Sequence, residues 1–248
     1  MKHEVFNKEL SYIKDEKIRN SCATILDSLP DYFYQIPASS TGKYHPEFSL
    51  GKGGLVRHVK VATKLLKDFF ADPSYAHNYT VKEQDLMLMS IIIHDGLKDG
   101  KENFKYDYEE EQKILEEKNK LYESKTKLME DEIANEQEIF NINLKIKDLN
   151  KKLHFTAFNH PILIRNLVLE NKDKLELTEE ELKLVCSCVE SHMGGIPWNI
   201  QYKYNSDEIM YELPVPKTKY QVLVHTVDYL SSRRYLSVKF TNNEIEDD

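Results

Sequence analysis

Cysteine is scarce in this 248-residue chain, with three in all. Cys22, Cys186 and Cys188 form an odd set with no paired framework, which excludes a disulfide-built scaffold and suits a reducing compartment. A Cys-x-Cys unit without a second pair cannot complete a cysteine zinc site, so Cys186 and Cys188 read as small core residues on a helix. Basic residues are also in deficit: 34 Lys and Arg face 42 Asp and Glu, a net charge of −8. Sequence-independent binding of long duplex nucleic acid needs a basic surface and is disfavoured. A small anionic substrate needs only a few local cations and stays open. No apolar run approaches the roughly 18 residues of a membrane span. The opening residues, Met1 to Leu10, carry early charges and no apolar signal core, so the expected location is cytoplasmic.

What is present is an ordinary globular composition, 40% hydrophobic and 31% charged, in a chain long enough to bury a core. Residues 1 to 29 carry Phe6, Leu10, Ile13, Ile18, Cys22, Ile25, Leu26 and Leu29 at mostly helical steps, predicting one amphipathic helical stretch stopped at Pro30. Pro37 to Pro46 is rich in turn formers, and Lys43 and His45 within it could approach a phosphate or a base. A helix follows Gly51-Lys-Gly-Gly54 and directs His58 toward its buried side. Thr80-Val-Lys-Glu83 is a capping box that opens a second helix, apolar to its end at His94-Asp95.

Residues 101 to 152 differ in kind: they contain no Gly or Pro, are dense in Glu and Lys, and show apolar residues at coiled-coil-like intervals. They predict a charged helical hairpin inserted over 105–150, turning near Ala134 to Glu138, with one continuous helix as the alternative. Such an insertion could support a homo-oligomer. The flanking segments, 1–104 and 151–240, would form one helical core, and 241–248 an acidic, frayed tail. Beyond the insertion, His160-Pro161 enters a helix. Thr178 to Glu181 caps another, which ends at His192 before glycine. A last helix from about Lys217 carries Asp228 on its inner face, with Arg233 and Arg234 after it.

The chemical signal is the series His58, His94-Asp95, His160, His192, Asp228, inward-facing and on or at the ends of predicted helices. Mixed imidazole and carboxylate donors suit Mn, Fe, Co, Ni or Zn, with Mg also possible. Together with Gly53-Gly-Leu-Val-Arg-His58, Ile92-Ile-His-Asp-Gly-Leu-Lys98, Val189-Glu-Ser-His192 and Leu223-Val-His-Thr-Val-Asp228, this series resembles the HD superfamily of metal-dependent phosphohydrolases. Small bacterial and phage HD proteins share such segments. Gly96 and Leu97 are exchanged relative to the usual His-Asp-Leu-Gly-Lys, while Lys98 keeps its offset.

The resemblance implies an all-α HD-domain helical bundle holding two divalent ions. His58, His94 and Asp228 would serve one ion, His160 and His192 the other, and Asp95 would bridge them. It implies a phosphohydrolase acting on a nucleotide or short oligonucleotide through metal-activated water, with Asp95 and Lys98 catalytic. Lys98, Arg57 and Arg165 are candidates for phosphate, and the aromatic loops around Tyr44 and Trp198 could stack a base. His225 takes a supporting or packing place. The rivals are a cyclic mono- or oligonucleotide phosphodiesterase, a 3′-to-5′ exonuclease, and a non-catalytic HD binding module.

Overall fold

The computed structural model describes residues 1–39, 45–153, 156–194 and 213–246. Among these residues the chain is all-α: ten α-helices, a few 3₁₀ turns and one two-stranded hairpin. It divides into two compact units, Met1–Phe104 with Thr156–Asp248, and Lys105–Phe155. No described helix is long and apolar enough to cross a membrane.

In the larger unit the helices are α1 (Asn7–Leu10), α2 (Glu16–Ser28), α3 (Gly54–Ala71), α4 (Pro73–Ala76) and α5 (Val81–Ile93). The smaller unit contributes α6 (Tyr108–Leu128) and α7 (Glu136–Asn150). The larger one resumes with α8 (His160–Glu170), α9 (Glu179–Ser191) and α10 (Lys219–Ser231). Helix α5 is central. Every residue from Asp85 to Ile93 is buried, and α2, α3, α9 and α10 all pack on it. A helix apolar on all sides has no solvent face to turn outward, which places its C-terminal end inside the bundle.

Capping boxes open α5 and α9, at Thr80 with Glu83 and Thr178 with Glu181, and a third opens α10 at Thr218 with Gln221. Each satisfies two backbone N–H groups that a helix start otherwise leaves unpaired, typically about 1 kcal/mol per cap.

The first 29 residues are not one helical stretch. A 3₁₀ turn (Lys2–Phe6) and α1 stop before Ile13, and α2 starts afresh with Asp15 as its N-cap. The break is enforced from a distance: the buried Asp85 carboxylate accepts from the backbone N–H of Lys14 (3.1 Å) and Asp15 (2.8 Å). Those two donors satisfy a charge that burial would otherwise penalise by several kcal/mol.

Nor is the C-terminal tail frayed throughout. Strands β1 (Phe240–Thr241) and β2 (Glu244–Ile245) pair antiparallel across Asn242-Asn243, both at positive φ, a conformation Asn tolerates in tight hairpins. Two cations on α3 hold the hairpin: Arg57 donates to Asn243 Oδ1 (2.6 Å), and the fully buried Lys60 pairs with Glu244.

In the smaller unit α6 and α7 are separate helices packed on each other, and the connection over residues 129–135 overlaps the expected turn at 134–138. Asn135 closes this connection by donating from Nδ2 to the carbonyls of Leu128 (3.0 Å) and Asp131 (2.9 Å). Ile114, Leu149 and Leu153 form a small apolar cluster between α6 and α7.

Gly54 and Gly96 differ in how strictly their surroundings exclude a side chain. A Cβ on Gly54 would lie 2.2 Å from the Ser49 carbonyl oxygen, because the 47–50 turn runs against the first turn of α3. A Cβ on Gly96 would meet Leu29 Cδ2 at 2.6 Å and Ile164 Cδ1 at 3.0 Å, flexible side-chain ends that can shift. Gly54→Ala is therefore expected to destabilise by at least about 2 kcal/mol, and Gly96→Ala by less. Urea midpoints of the two variants check the order; equal midpoints would contradict the backbone clash.

Candidate metal centre

Five helices deliver six side chains to one point. His58 comes from the second turn of α3, His94 and Asp95 from the end of α5, His160 from the start of α8, His192 from the end of α9 and Asp228 from α10. All four histidines and Asp95 expose no more than 1% of their surface, and Asp228 9%.

Each histidine spends its Nδ1–H in the same way. His94, His160 and His192 donate it to the carbonyl three residues earlier, that of Ile91, Ala157 and Val189, each at 2.7 Å. His58 donates to Ser231 Oγ (3.2 Å), whose own hydrogen goes to the Asp228 carbonyl. Committing Nδ1–H fixes the tautomer, so a neutral ring presents a bare lone pair at Nε2.

Those Nε2 atoms all face carboxylate oxygens. Asp95 Oδ2 lies 3.6 Å from His58 and 3.5 Å from His94, while Oδ1 lies 3.0 Å from His160 and 3.5 Å from His192. Asp228 Oδ1 lies 3.1 Å from His58 and 3.3 Å from His94. The two oxygens of Asp95 thus serve two different histidine pairs. His94 Nε2 and Asp95 Oδ1 are buried without a hydrogen-bond partner.

Lone pairs pointed at lone pairs repel, and only a proton or a cation between them reverses the sign. Burial drives the His192 imidazole down to about 4, with His94 and His160 adding to it against the pull of Asp95, so this ring is neutral near pH 7. A neutral His192 holds one ring proton, and Val189 already takes it. The residues fit a metal ion: His58–His94–Asp95, His94–His192–Asp228 and Asp95–His160–His192 each bring three ligand atoms within 4.8 Å of one another. Nitrogen and oxygen donors in this mixture suit divalent transition metals.

Both carboxylates are ionised for the purpose. Burial pushes Asp95 up, but Lys98, His94 and the neighbouring imidazoles outweigh it and hold the carboxyl well below its usual range. Asp228 behaves likewise through His94 and His58. Burial also lowers His94, yet Asp95 and Asp228 together raise it above the ordinary imidazole value. Lys98 is buried with Nζ 2.5 Å from Asp95 Oδ2, and Asp95 raises its pKa against burial.

The turn after Asp95 is clamped from two sides. Tyr32 Oη donates to the Gly100 carbonyl (2.6 Å) and accepts from Asp99 N–H, while the Ala157 N–H donates to the Lys98 carbonyl (2.7 Å).

A cavity of about 720 Å³, its open mouth included, lies over this cluster. Its walls include His45, Lys98, Thr156, Tyr229, Ser232 and Arg233. His45 lines the cavity but is not a cation: burial, then Lys98 and His58, push its imidazole down to about 3. Arg57 does not reach the cavity. Its guanidinium donates to the carbonyls of Phe48, Leu50 and Lys52, holding the 47–52 turn against α3. Arg165 pairs with Glu190 (2.9 Å) on another face. Lys43, Tyr44 and Trp198 lie outside the described residues. His225 donates its Nδ1–H to the His192 carbonyl (2.5 Å), supporting a ligand rather than being one. Ser39, Thr156, Tyr229, Ser232 and Arg233 were not evident as lining residues from sequence; only Arg233, five positions after Asp228, carried a signal.

A divalent ion that binds the folded chain alone stabilises it by about 2.7 kcal/mol at a hundred times its dissociation constant. For a chain of this size that is a rise of about 5–10 °C in Tm with Mn²⁺, reversed by chelator. Asp95→Asn, which keeps the shape and removes the charge, is expected to lose most of the rise. Because a proton on His94 competes with the ion, and Asp95 and Asp228 hold that proton above the ordinary imidazole range, affinity should increase as pH rises. Thermal scans and calorimetry read both effects; a Tm unmoved by Mn²⁺, Zn²⁺, Co²⁺, Ni²⁺ and Fe²⁺ would contradict the assignment.

Compared with protein-family models, curated proteins and solved structures, the chain matches none.

Proposed function

We propose that the chain is a metal-dependent phosphohydrolase acting on a nucleotide or a short oligonucleotide. The observation that carries the reading is the division of Asp95: one oxygen turned to His58 and His94, the other to His160 and His192, with Asp228 beside the first pair. A carboxylate shared in this way suits two neighbouring ions. The resemblance of the His, His-Asp, His, His, Asp series to the HD superfamily supports the same chemistry.

Divalent ions held here would supply Lewis acidity toward phosphoryl oxygens and a water nucleophile near neutral pH. The chain's own residues do the rest. Asp95 and Asp228, kept ionised, fix the charge of the floor, and the committed Nδ1–H groups hold four rings in one orientation without further cost at the moment of reaction. Lys98, on the cavity wall, places a positive charge where a phosphoryl oxygen gains negative charge. The neutral ring of His45 and the Thr156 hydroxyl offer uncharged polar contacts to the substrate. Walls formed by Ala38, Met193 and the Tyr229 ring limit water and suit the apolar faces of a nucleoside.

Incubating the purified chain with Mn²⁺ and mononucleotides, cyclic dinucleotides or single-stranded RNA, and resolving the products by length, tests the reading. Release of orthophosphate or a mononucleotide is expected. Lys98→Met is expected to lower kcat by about 10²–10³ while metal content stays at the wild-type level. Turnover of none of these substrates with any divalent metal would favour a binding module instead. Products shortened from the 3′ end would favour the exonuclease, and opening of cyclic substrates the phosphodiesterase.

A further inference from the structure

Helix α7 of the smaller unit is apolar on two sides. Ile139, Ile142, Ile146 and Leu149 recur at three- and four-residue steps and are buried, with Leu149 packed on Ile114 of α6. At about 100° per residue, Phe140 and Leu144 stand opposite that stripe, and they are 55% and 46% exposed. The pair falls at the middle of the helix, one turn apart, and leaves it a second apolar face to bury.

The charges around this pair are ordered. Glu136 lies about one turn before Phe140 and Lys147 about one turn after Leu144, and both are exposed. Eleven residues separate them, which is about three whole turns, so they stand along the same flank of the apolar pair. Gln137 and Asp148 repeat that spacing on the other flank, and Asp148 is already paired with Lys151 (2.7 Å). Acid at the start of a helix and base at its end also suit the helix dipole, but the dipole asks for no apolar pair between them. A face that runs negative, apolar, positive is complementary to its own inverted copy. A two-fold axis level with Ile142 lays each Phe140 against Leu144 of a second copy. It also brings each Glu136 to within one residue of the level of the other copy's Lys147, on the same flank.

We propose that the protein pairs with a second copy of itself through antiparallel α7 helices, with Phe140 and Leu144 at the centre of the contact and two Glu136–Lys147 ion pairs at its edges. The inference is independent of the phosphohydrolase reading, since no residue of the metal centre takes part. Charge complementarity selects the occupant: one sequence supplies both halves, and an isologous contact uses each half twice. A single helix face buries less area than a standard stable interface, so the pairing is weak and concentration-dependent.

Sedimentation velocity of the full-length chain at low salt, from about 5 µM to about 300 µM, reads the association. Wild type is expected to pass from monomer to dimer with a dissociation constant of about 10–100 µM. Phe140→Gln removes the central ring from an exposed position and is expected to weaken pairing at least about tenfold. Glu136→Lys and Lys147→Glu each set like charges together at two symmetric contacts and are expected to weaken it about five- to tenfold. The double variant Glu136→Lys with Lys147→Glu exchanges the signs of both pairs and is expected to return to the wild-type level. Within one helix the two positions lie about 16 Å apart, so this rescue comes from a second copy and not from the helix itself. Helical content equal to wild type by circular dichroism separates a lost contact from a lost fold. A wild type that stays monomeric over the whole range, or that associates only with a different protein, would overturn the proposal. So would single reversals that pair as well as wild type, or a double variant no better than either single one. Metal content and turnover play no part in the readout, so loss of the phosphohydrolase reading would leave this result standing, and the reverse.

Discussion

Two buried carboxylates facing four imidazole nitrogens set the demand that the rest of the larger unit meets. An unpaired buried charge costs several kcal/mol, a sizeable part of the 5–15 kcal/mol that holds a typical domain together. Asp95 and Asp228 are kept ionised in the interior, and the rings around them are locked with their acceptor nitrogens inward. Lys98 offsets part of that charge. A cation bound at the centre would stabilise the arrangement further, and this would link the stability of the fold to its chemistry. Binding and folding free energy are then one quantity read at two places.

The architecture follows from delivering those groups by helix ends. A helix interior offers its backbone no spare acceptor, but its last turn leaves carbonyls unpaired. His94 and His192 stand one position past α5 and α9, and each caps its own last turn through Nδ1. The same hydrogen bond therefore ends a helix and orients a ligand. His160 repeats it at the start of α8, where the preceding turn supplies the carbonyl. Helix α5, apolar on every side, is what carries His94 and Asp95 inward.

The six centre residues were legible in sequence because each sits on a helix whose period shows which way it faces. The capping boxes were legible because they are local. Contacts closed from far along the chain left no such mark. The break near Ile13 depends on Asp85, 70 residues away from Asp15. The hairpin at residues 240–245 is pinned by Arg57 and Lys60, and neither cation advertises its partner in the sequence. Arg57, adjacent to His58, reads as a phosphate ligand for the same reason: its neighbour in sequence belongs to the candidate metal centre, but its neighbours in space are carbonyls. The exchange of Gly96 and Leu97 also has a spatial account. Leu29 and Ile164 close on position 96, and the leucine at 97 is buried instead.

Arg57 and Lys98 show why a cation near a metal-type centre must be judged by what already holds it. The donors of Arg57 serve three carbonyls on the 47–52 turn and one asparagine, so moving it toward a substrate would unfasten the segment that packs on α3. Lys98 is attached to a single carboxylate oxygen that the imidazoles also face. A divalent ion at that oxygen competes directly with the ammonium. An ion held there would carry twice the charge and take several ligands at once, which would free Lys98 toward the cavity it already lines. Of the two cations, Lys98 rather than Arg57 would thus lose its structural duty if the centre were filled, which is the property a phosphate-binding group at this position would require.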